Sequence, residues 1–459
     1  MNIKNEIRKD FILKDIHKGY LVGGAIRDII MGKNYKDRDI AIKNAEIFAK
    51  ELANTLEGTF VVLDSENKIY RIVLKDKENY LDVSEIRGVN IQEDLSLRDF
   101  TINAIAFDLE NNEIIDTTGG LDDIKAKILR GIREDNFTDD PLRLLRTYRF
   151  MATTGFKPEN ELIDIIKKHL HKISQPAKER IHDEIMKLFG GKYTSKALLR
   201  MLDDGILEII FPCVNDIKRI PPNSHHHLDL IHHVIETVRQ IELIYENSGS
   251  EIKEHLDKTD FGGYPRLNHL KIAGFLHDIG KPSTWTIEEN GRHRFIKHDV
   301  EGAVLAIPLL KSLKFSNKQI DYITEMIRKH IYPSNVISAP DADNKALMRY
   351  IRKMGINVID NIILAKADRL SAQGPDITKE MTKTNINGLN RLLAFYLETK
   401  DTLKPLPKLI DGNEIMKLLG INQSPKLGKI INELKEAQIN GDITTREDAE
   451  KFVKNSSLL

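Results

Sequence analysis

The chain has 459 residues, of which 41% are hydrophobic and 30% are charged, a composition typical of a soluble globular protein with roughly two to four domains. Lys and Arg together number 69, as do Asp and Glu, so any basic surface for nucleic acid must be local. The single cysteine, Cys213, excludes an internal disulfide and a CxxC zinc site. The N-terminus lacks a signal-peptide core, and no run approaches about 18 apolar residues, so we expect a cytoplasmic protein without a membrane span.

The pattern of apolar residues changes near residue 139, from mixed strand and helix signals to a 3.6-residue period. We therefore predict an α+β multidomain protein. A small mixed β-sheet with helices should form at 1–135, and three all-helical parts should follow at 136–215, 216–400 and 401–459. The Pro-marked segment LKPLPKL is predicted to link the last two parts.

The predicted elements of the first part are short. A strand at 19–23 leads into a helix at 25–31, which ends at Gly32. Further strands are predicted at 40–42, 60–63, 69–74, 80–83 and 101–108. Beyond residue 139 strand signals are few, and the polar, Gly-rich segment 248–265 is predicted to be a loop.

The segment YLVGGAIRDIIMGKNYKDRDIAI begins with the features of a phosphate-binding turn. Gly23 and Gly24 permit a polyanion to approach the backbone closely, and the following helix N-terminus presents free N–H groups. Arg27, one turn into the helix, can add a bidentate phosphate contact.

The same segment ends with paired carboxylates. Asp37 and Asp39 are two residues apart, just before or on a strand, so both side chains should lie on one face. Such a pair suits Mg²⁺, and two such ions can activate a 3′-hydroxyl and stabilise a leaving pyrophosphate. The order strand, GG, helix and DxD resembles the DNA polymerase beta nucleotidyltransferase superfamily, whose members usually carry a third carboxylate on a later strand. Asp82 is the candidate, with an exposed charge on a strand face as the alternative interpretation.

Two later segments, EDLSLRDFTINAIAF and DDPLRLLRTYRFMATTGF, narrow the family. Together with GGAIRD and DRD they resemble the class II tRNA nucleotidyltransferase and bacterial poly(A) polymerase family over at least residues 19–190. The resemblance implies a nucleotidyltransferase head at 1–135, followed by a helical neck that reads the nucleobase and binds RNA.

The same resemblance implies that Arg98, Asp99 and Asn103 help to recognise ribose and triphosphate. Leu97 stands where the family usually has a further arginine, so some ribose or phosphate contact is expected to differ.

Asp140 and Arg143 form a candidate base-reading pair. Asp140-Pro141 is typical of a helix start, and residues three apart on a helix are neighbours. A carboxylate that accepts and a guanidinium that donates match the amine donor and ring acceptor of both C and A, but not G or U. A surface salt bridge is the alternative, which the family resemblance disfavours. Arg146 and Arg149 are candidates for phosphate contacts, with packing or solvated roles as alternatives.

Histidines are concentrated between residues 225 and 330. The segments HHHLDLIHHVIETV, GFLHDIGKP, RFIKHDVEGA, IRKHIYP and LAKADRL resemble the HD phosphohydrolase domain. The resemblance implies a minimal set of four metal ligands, which are His233, His277, Asp278 and Asp368. It also implies two further ligands, found in members that bind two metals, which are His298 and His330. These donors suit Zn²⁺, Mn²⁺, Fe or Ni, and a bound metal could produce a nucleophile for phosphoester hydrolysis. Metal binding without turnover is the alternative.

The other histidines of this cluster, His225, His226, His227 and His232, are expected on exposed or packing faces. The segments LIDGNEIMKLL and PKLGKIINELKEA resemble the family's tail, which implies a grip on the tRNA elbow. Residues 401–459 hold nine basic and nine acidic residues, unlike the arginine-rich tail of many bacterial poly(A) polymerases, and this favours tRNA as substrate.

We therefore expect an enzyme that adds CCA from CTP and ATP to the 3′ end of tRNA, with Mg²⁺ in the head and a second divalent metal in the HD domain. Three alternatives remain: a partial enzyme that adds only A or only CC, a poly(A) polymerase, and an HD phosphohydrolase whose head only binds RNA. The sequence leaves base order, HD activity, the second metal and the oligomeric state open.

Overall fold

The structure, a computed structural model, describes residues 3–35, 37–339, 343–403 and 406–456. The chain divides into two compact units. The first comprises residues 1–214 with 312–314, and the second comprises 215–311 with 315–459. The finer division into four parts stays a prediction, and two residues of the predicted linker, Lys404 and Pro405, lie outside the described residues.

A seven-stranded mixed sheet in the first unit has the order β3-β4-β5-β2-β1-β6-β7. Its strands are β1 Tyr20–Val22, β2 Asp39–Ile42, β3 Thr59–Asp64, β4 Ile69–Val73, β5 Tyr80–Glu85, β6 Ile105–Asp108 and β7 Glu113–Asp116. β1 is antiparallel to both β2 and β6, whereas β2 and β5 are parallel, and Asp39 is in register with Asp82. Because parallel strands begin at the same edge of a sheet, both aspartates lie at one edge.

Helices surround this sheet and continue beyond it. They are α1 Ile3–Lys9, α2 Gly24–Ile30, α3 Ala45–Thr55, α4 Ile91–Ser96, α5 Gly120–Ala126, α6 Glu134–Asp139, α7 Leu142–Thr154, α8 Asn160–Lys168, α9 Lys178–Phe189, α10 Thr194–Asp203 and α11 Leu207–Ile210. The short parallel strands β8 Ile128–Leu129 and β9 Lys157–Pro158 pair with each other, and α12 Val214–Ile217 lies at the boundary between the units.

The second unit is almost wholly helical. Its elements are α13 Leu230–Glu246, α14 Ser250–Leu256, α15 Arg266–Leu276, α16 Lys281–Thr284, β10 Trp285–Ile287, β11 His293–Phe295, α17 His298–Ser312, α18 Asn317–Arg328, α19 Tyr332–Ser338, α20 Asn344–Met354, α21 Val358–Ser371, α22 Lys379–Thr399, α23 Gly412–Leu419, α24 Pro425–Asn440 and α25 Arg446–Lys454. Every residue of α15 is buried, and α13, α18 and α21 pack against it. The last three helices form an apolar core of their own around Ile415, Ile430 and Val453.

Two predicted elements differ from the structure, and the β10–β11 hairpin was not predicted. Residues Thr101–Asn103 form a 3₁₀ turn, not a strand, because the Thr101 hydroxyl donates to Asp123 Oδ2 at 2.6 Å and its N–H donates to the Arg130 carbonyl. The predicted loop at 248–265 contains α14, which buries Leu256. Residues 288–291 form the turn of the β10–β11 hairpin, in which the Gly291 N–H donates to the Glu288 carbonyl at 2.8 Å and Gly291 has φ +80°.

Among the described residues, no helix is both long enough and apolar enough to cross a membrane.

Gly120 permits α5 to approach the turn that carries Asn103. A Cβ at this position would lie 2.2 Å from the Thr101 carbonyl oxygen, so Gly120→Ala forces the two segments apart. We expect a loss of about 1–3 kcal/mol in the free energy of unfolding, measured by urea titration. Gly428→Ala is the control, since nothing lies within 4 Å of its added Cβ inside α24, and it should stabilise by up to about 1 kcal/mol. Equal stability changes in both variants would contradict this account.

Candidate active site and metal centre

The turn between β1 and α2 lies against one candidate metal ligand. Gly23 has φ 73° and ψ −133°, a backbone conformation that residues with a side chain rarely adopt. A Cβ there would lie 3.3 Å from Arg98 Nη1 and 3.5 Å from Asp39 Oδ2. Glycine therefore leaves the backbone of this turn open between a guanidinium and a carboxylate, as phosphate binding requires.

The three predicted carboxylates, Asp37, Asp39 and Asp82, lie close enough for the charges of Asp37 and Asp82 to act on Asp39. Asp39 begins β2 beside Asp82 on β5, and Asp37 Oδ1 accepts a hydrogen bond from the Tyr80 hydroxyl at 2.6 Å. Arg71 holds Asp82 with two hydrogen bonds, of 2.7 and 2.8 Å. Burial, with the nearby charges of Asp82 and Asp37, raises the pKa of Asp39 to about 6. Carboxylates that disfavour one another's charge in this way fit a hard divalent cation.

Arg38, between the two aspartates of the DxD pair, was not predicted to have a role. Its Nε donates to both carboxylate oxygens of Asp10, at 3.1 and 2.9 Å, and Nη2 lies 2.9 Å from Asp10 Oδ2. Both side chains are buried. This pair ties the residue that follows α1 to the segment that carries the DxD carboxylates. No local pattern signals it, because the partners are 28 residues apart.

Arg27, Asn103 and Asp99 form one hydrogen-bonded row. Arg27 Nη1 donates to Asn103 Oδ1 at 2.7 Å, and Asn103 Nδ2 donates to Asp99 Oδ1 at 3.0 Å. Arg146 Nε donates to Asp99 Oδ2 at 2.8 Å. Burial opposes the charge of Asp99, but Arg146 and the hydrogen bond from Asn103 prevail and lower its pKa to about 2. The row holds two guanidinium groups in fixed positions around an ionised carboxylate.

Glu184 of α9 adds a second buried carboxylate that was not predicted. Its oxygens lie 3.2 Å from Arg149 Nε and 3.7 Å from Arg146 Nη1. The Phe150 ring lies beneath three guanidinium groups, with its centroid 4.0 Å from Arg149 Cζ, 5.2 Å from Arg27 Cζ and 5.5 Å from Arg146 Cζ. Burial, reinforced by the charge of Arg146, lowers the pKa of Arg149 to about 10. The spacing of residues in α9 gave no signal for Glu184, because its arginine partners lie on another helix, α7.

Asp140 and Arg143 differ from their predicted arrangement. Asp140 lies outside the helix with φ −129° and ψ 89°, and α7 begins at Leu142. Arg143 Nε is 3.9 Å from Asp140 Oδ2, and Arg143 Nη1 donates instead to the Leu97 carbonyl at 2.8 Å. Arg180 of α9, which was not predicted, donates to Asp140 Oδ2 at 2.9 Å. The pair is therefore not a tight i,i+3 salt bridge, because residue 140 is not helical.

The guanidinium of Arg98 lies between the carboxylate of Asp94 and the glycine turn. Its Nε and Nη2 both donate to Asp94 Oδ2, at 3.1 and 3.0 Å, and Arg87 Nε donates to Asp94 Oδ1 at 3.1 Å. The remaining nitrogen, Nη1, is the one that faces Gly23. At Leu97 the backbone carbonyl takes part in the site by accepting from Arg143.

The six predicted ligands of the HD domain converge in the second unit. His233 lies on α13, Asp368 on α21, and His277 with Asp278 directly after α15. His233 Nε2 is 3.4 Å from His277 Nε2, 3.4 Å from Asp278 Oδ2 and 3.2 Å from Asp368 Oδ1. These four donors form one part of the cluster.

Asp278 connects the two remaining histidines to that part. His298 Nε2 is 3.2 Å from His330 Nε2, and the two atoms are 3.4 and 3.9 Å from Asp278 Oδ1. The two oxygens of Asp278 therefore face different groups of ligands, which is the arrangement that a bridging carboxylate needs.

Backbone carbonyls set the orientation of three of these imidazoles. Nδ1 of His277, His298 and His330 lies 2.8, 2.8 and 2.7 Å from the carbonyls of Gly274, Phe295 and Ile327. A carbonyl can only accept, so Nδ1 carries the proton and the Nε2 lone pair of the neutral ring points into the cluster. The donor set therefore fits a divalent metal.

His226 and Lys281 extend this cluster. Lys281 Nζ is 2.6 Å from Asp278 Oδ2 and 3.2 Å from His226 Nε2, and the His226 ring lies 4.3 Å from that of His233. Burial, then the charge of Lys281, lowers the pKa of His226 to about 2, so its neutral ring can accept from the ammonium. His226, which was expected on an exposed or packing face, therefore contacts residues of the cluster, and Lys281 is a polar neighbour of the site that the HDIGKP motif did not assign.

Comparison with known proteins identifies three regions. Residues 19–130 match the poly A polymerase head domain, residues 155–218 match the probable RNA and SrmB-binding site of polymerase A, and residues 230–373 match the HD domain.

Similar proteins cover nearly the whole chain. It is 29% identical to the A-adding tRNA nucleotidyltransferase of Deinococcus radiodurans, over 95% of this chain and 94% of that protein. It is 28% identical to the CC-adding tRNA nucleotidyltransferase of Thermus thermophilus, over 97% of this chain and 95% of that protein. Its fold is similar to the Bacillus stearothermophilus CCA-adding enzyme in complex with CTP, with a TM-score of 0.59 at 19% identity over 99% of this chain and 96% of that one. The predicted fold class is confirmed.

The raised pKa of Asp39 predicts pH-dependent cation binding in the head. A proton and a divalent cation compete for this carboxylate, so the affinity for Mn²⁺ should fall as the pH falls through about 6, approaching tenfold per pH unit. Calorimetric titration with Mn²⁺ between pH 5 and 8 measures this, in a background that lacks the HD cluster through His277→Ala. Asp39→Asn should remove the dependence, whereas Asp122→Asn, at an exposed carboxylate, should keep it. A pH-independent affinity in the parent protein would refute the assignment.

Proposed function

Since this chain belongs to the family of tRNA nucleotidyltransferases and poly(A) polymerases with an HD domain, we propose that it adds C and A residues from CTP and ATP to the 3′ end of tRNA without a template. The observation that carries the proposal is the register of Asp39 with Asp82 beside the open glycine turn at Gly23. This geometry offers cation ligands next to a place where a triphosphate can lie.

Asp37, Asp39 and Asp82 are the proposed ligands of Mg²⁺ in the head. Bound Mg²⁺ supplies charge neutralisation for the triphosphate and lowers the cost of ionising the tRNA 3′-hydroxyl. Arg71 holds Asp82, and Tyr80 holds Asp37, so the carboxylates are oriented before substrate arrives. The Gly23 turn leaves the backbone open to the phosphates, and Arg98 and Arg27 provide positive charge on either side of it.

Base selection is assigned to Asp140, Arg143 and Arg180. A carboxylate that accepts from an exocyclic amine beside guanidinium donors suits both C and A and leaves the carbonyls of G and U facing an acceptor. Arg180 positions Asp140 through the 2.9 Å hydrogen bond. One site of this kind supports the use of both CTP and ATP.

A partial enzyme is the second candidate. Two relatives that match nearly the whole chain are named for the addition of A and of CC, respectively. These names favour an enzyme that performs one part of CCA addition, and the head and neck residues described above serve either reaction.

The HD cluster supports a separate metal-dependent phosphoester hydrolysis. The convergence of four imidazole Nε2 atoms on Asp278 and Asp368 carries this second proposal. A divalent ion held by these ligands supplies Lewis acidity at a phosphoester. Lys281, whose ammonium lies 2.6 Å from Asp278, provides a positive charge beside the same carboxylate.

Transfer to tRNA is tested with three acceptors that end before CCA, in C and in CC. The protein is incubated with Mg²⁺ and labelled CTP or ATP, and products are sized at single-nucleotide resolution. We expect growth to CCA and a stop there. Addition of A only to the CC-ending tRNA, or of CC only, would establish a partial enzyme, and long A ladders would establish a poly(A) polymerase.

The Asp37→Ala/Asp39→Ala variant should lose transfer by about 10²-fold or more, because a catalytic metal contributes several kcal/mol. The matched control, Asp15→Ala/Asp122→Ala, removes two carboxylates whose side chains are 79% and 87% exposed, and it should retain the parent rate. The proposal fails if the protein adds nothing to any tRNA, or if the two double variants transfer equally well.

Adjacent histidines on α13 test the metal centre. His233 is fully buried in the cluster, whereas the side chain of His232 is 46% exposed. We expect His233→Ala to lose divalent metal, measured by mass spectrometry of the purified protein, and to lose phosphate release from 2′,3′-cyclic or 2′-phosphorylated substrates. His232→Ala should keep both. If the parent protein contains divalent metal but releases no phosphate from these substrates, the HD cluster is a metal-binding site without hydrolytic activity.

A further inference from the structure

Helix α20 has a basic face that the proposed reaction does not use. Its sequence, NKALMRYIRKM, contains four cations and no acidic residue. Lys345, Arg349 and Arg352 follow the spacing i, i+4 and i+7, which places them along one face. The fourth cation, Lys353, lies 3.4 Å from Glu436 and is paired.

This face lines an open cleft of about 310 Å³ in the second unit. Met348 lies between the cations, and the last two residues of α24, Ile439 and Asn440, form the opposite wall. Asp343 stands at the rim, but its carboxylate accepts from the Ala346 N–H at 2.8 Å and caps the helix. Among the described residues that line the cleft, three cations stand against one capping carboxylate, so their net charge is positive although the whole chain has none.

The cleft cations lack partners among the residues that the structure describes. Neither Lys345 nor Arg349 forms an ion pair there, and the buried Nε of Arg352 has no hydrogen-bond acceptor. A buried donor without an acceptor costs about 1–3 kcal/mol. Lys345 also lies in the first turn of α20, where the helix dipole adds to its positive potential. An anion in the cleft would satisfy these groups together.

We propose that this cleft binds the sugar-phosphate backbone of RNA, which rests on the proposed action on tRNA. The cation stripe extends over seven residues of helix, or about 10 Å. That length exceeds one phosphate group and suits consecutive phosphates along a strand, which Arg and Lys bind without reading sequence. Asn440 can add a hydrogen bond to phosphate or to a ribose hydroxyl.

The test compares two exposed cation pairs with the same spacing. Lys345→Ala/Arg349→Ala removes two cations from the cleft, and Lys379→Ala/Lys383→Ala removes an i,i+4 pair from α22 in the same unit. Binding of fluorescently labelled tRNA lacking CCA is measured by anisotropy from 50 to 300 mM KCl. In the cleft variant we expect about tenfold weaker binding near 100 mM KCl. The slope of log affinity against log salt should fall in magnitude by about 1.4–1.8, since two phosphate contacts are lost.

The α22 control should keep the parent affinity and slope, and the charge-conserving variant Lys345→Arg/Arg349→Lys should restore most of the affinity. Parent-like binding by the cleft variant, or an equal loss in the α22 control, would overturn the cleft proposal alone. A parent protein that binds no tRNA would overturn the proposed function as well. Loss of binding to poly-L-glutamate with unchanged affinity for tRNA would assign the cleft to an acidic peptide instead.

Discussion

The burial of a carboxylate beside other carboxylates at one sheet edge is the constraint on which the head depends. Parallel pairing of β2 and β5 places Asp39 in register with Asp82, and burial makes the charge of Asp39 costly, as its pKa near 6 shows. Arg71 offsets part of this cost by holding Asp82 with two hydrogen bonds. The remaining cost favours a bound cation, as the proposed Mg²⁺ site requires.

Buried arginines provide the complementary charge. Asp99 and Glu184 are two inward-facing carboxylates, and they hold Arg146 and Arg149 above the ring of Phe150. Removing Glu184 would leave the buried guanidinium of Arg149 without its carboxylate partner, and removing Asp99 would leave Arg146 with only the 3.7 Å contact to Glu184, so either change is destabilising. The positive side of the proposed nucleotide site is therefore organised during folding, and an incoming triphosphate need not reorganise it.

The HD cluster orients three of its imidazoles through hydrogen bonds to backbone carbonyls, whereas the head orients Asp82 through an ion pair with Arg71 and Asp37 through a hydrogen bond from Tyr80. The backbone carbonyls three residues before His277, His298 and His330 fix Nδ1 of these rings, so the Nε2 atoms point inwards before any ion binds. Complete burial of α15 places His277 and Asp278 at the centre of the second unit. In both sites the helices and strands set the directions in which the side chains point. Those directions decide which charged groups meet in the site.

The sequence by itself determined the features that depend on short spacing. These are the glycine turn at Gly23 and the DxD carboxylates, because a local pattern sets which face of a strand or helix a residue occupies. The six HD ligands were implied by the resemblance to the HD domain, since they are spread over positions 233–368. The tertiary structure alone decided the pairing of Arg38 with Asp10, of Arg180 with Asp140, and of Glu184 with the neck arginines. Each of these partners is separated by at least 28 residues. Contacts at such separations depend on how helices and strands pack, and the periodicity of one segment carries no information about the charge that another segment brings to it.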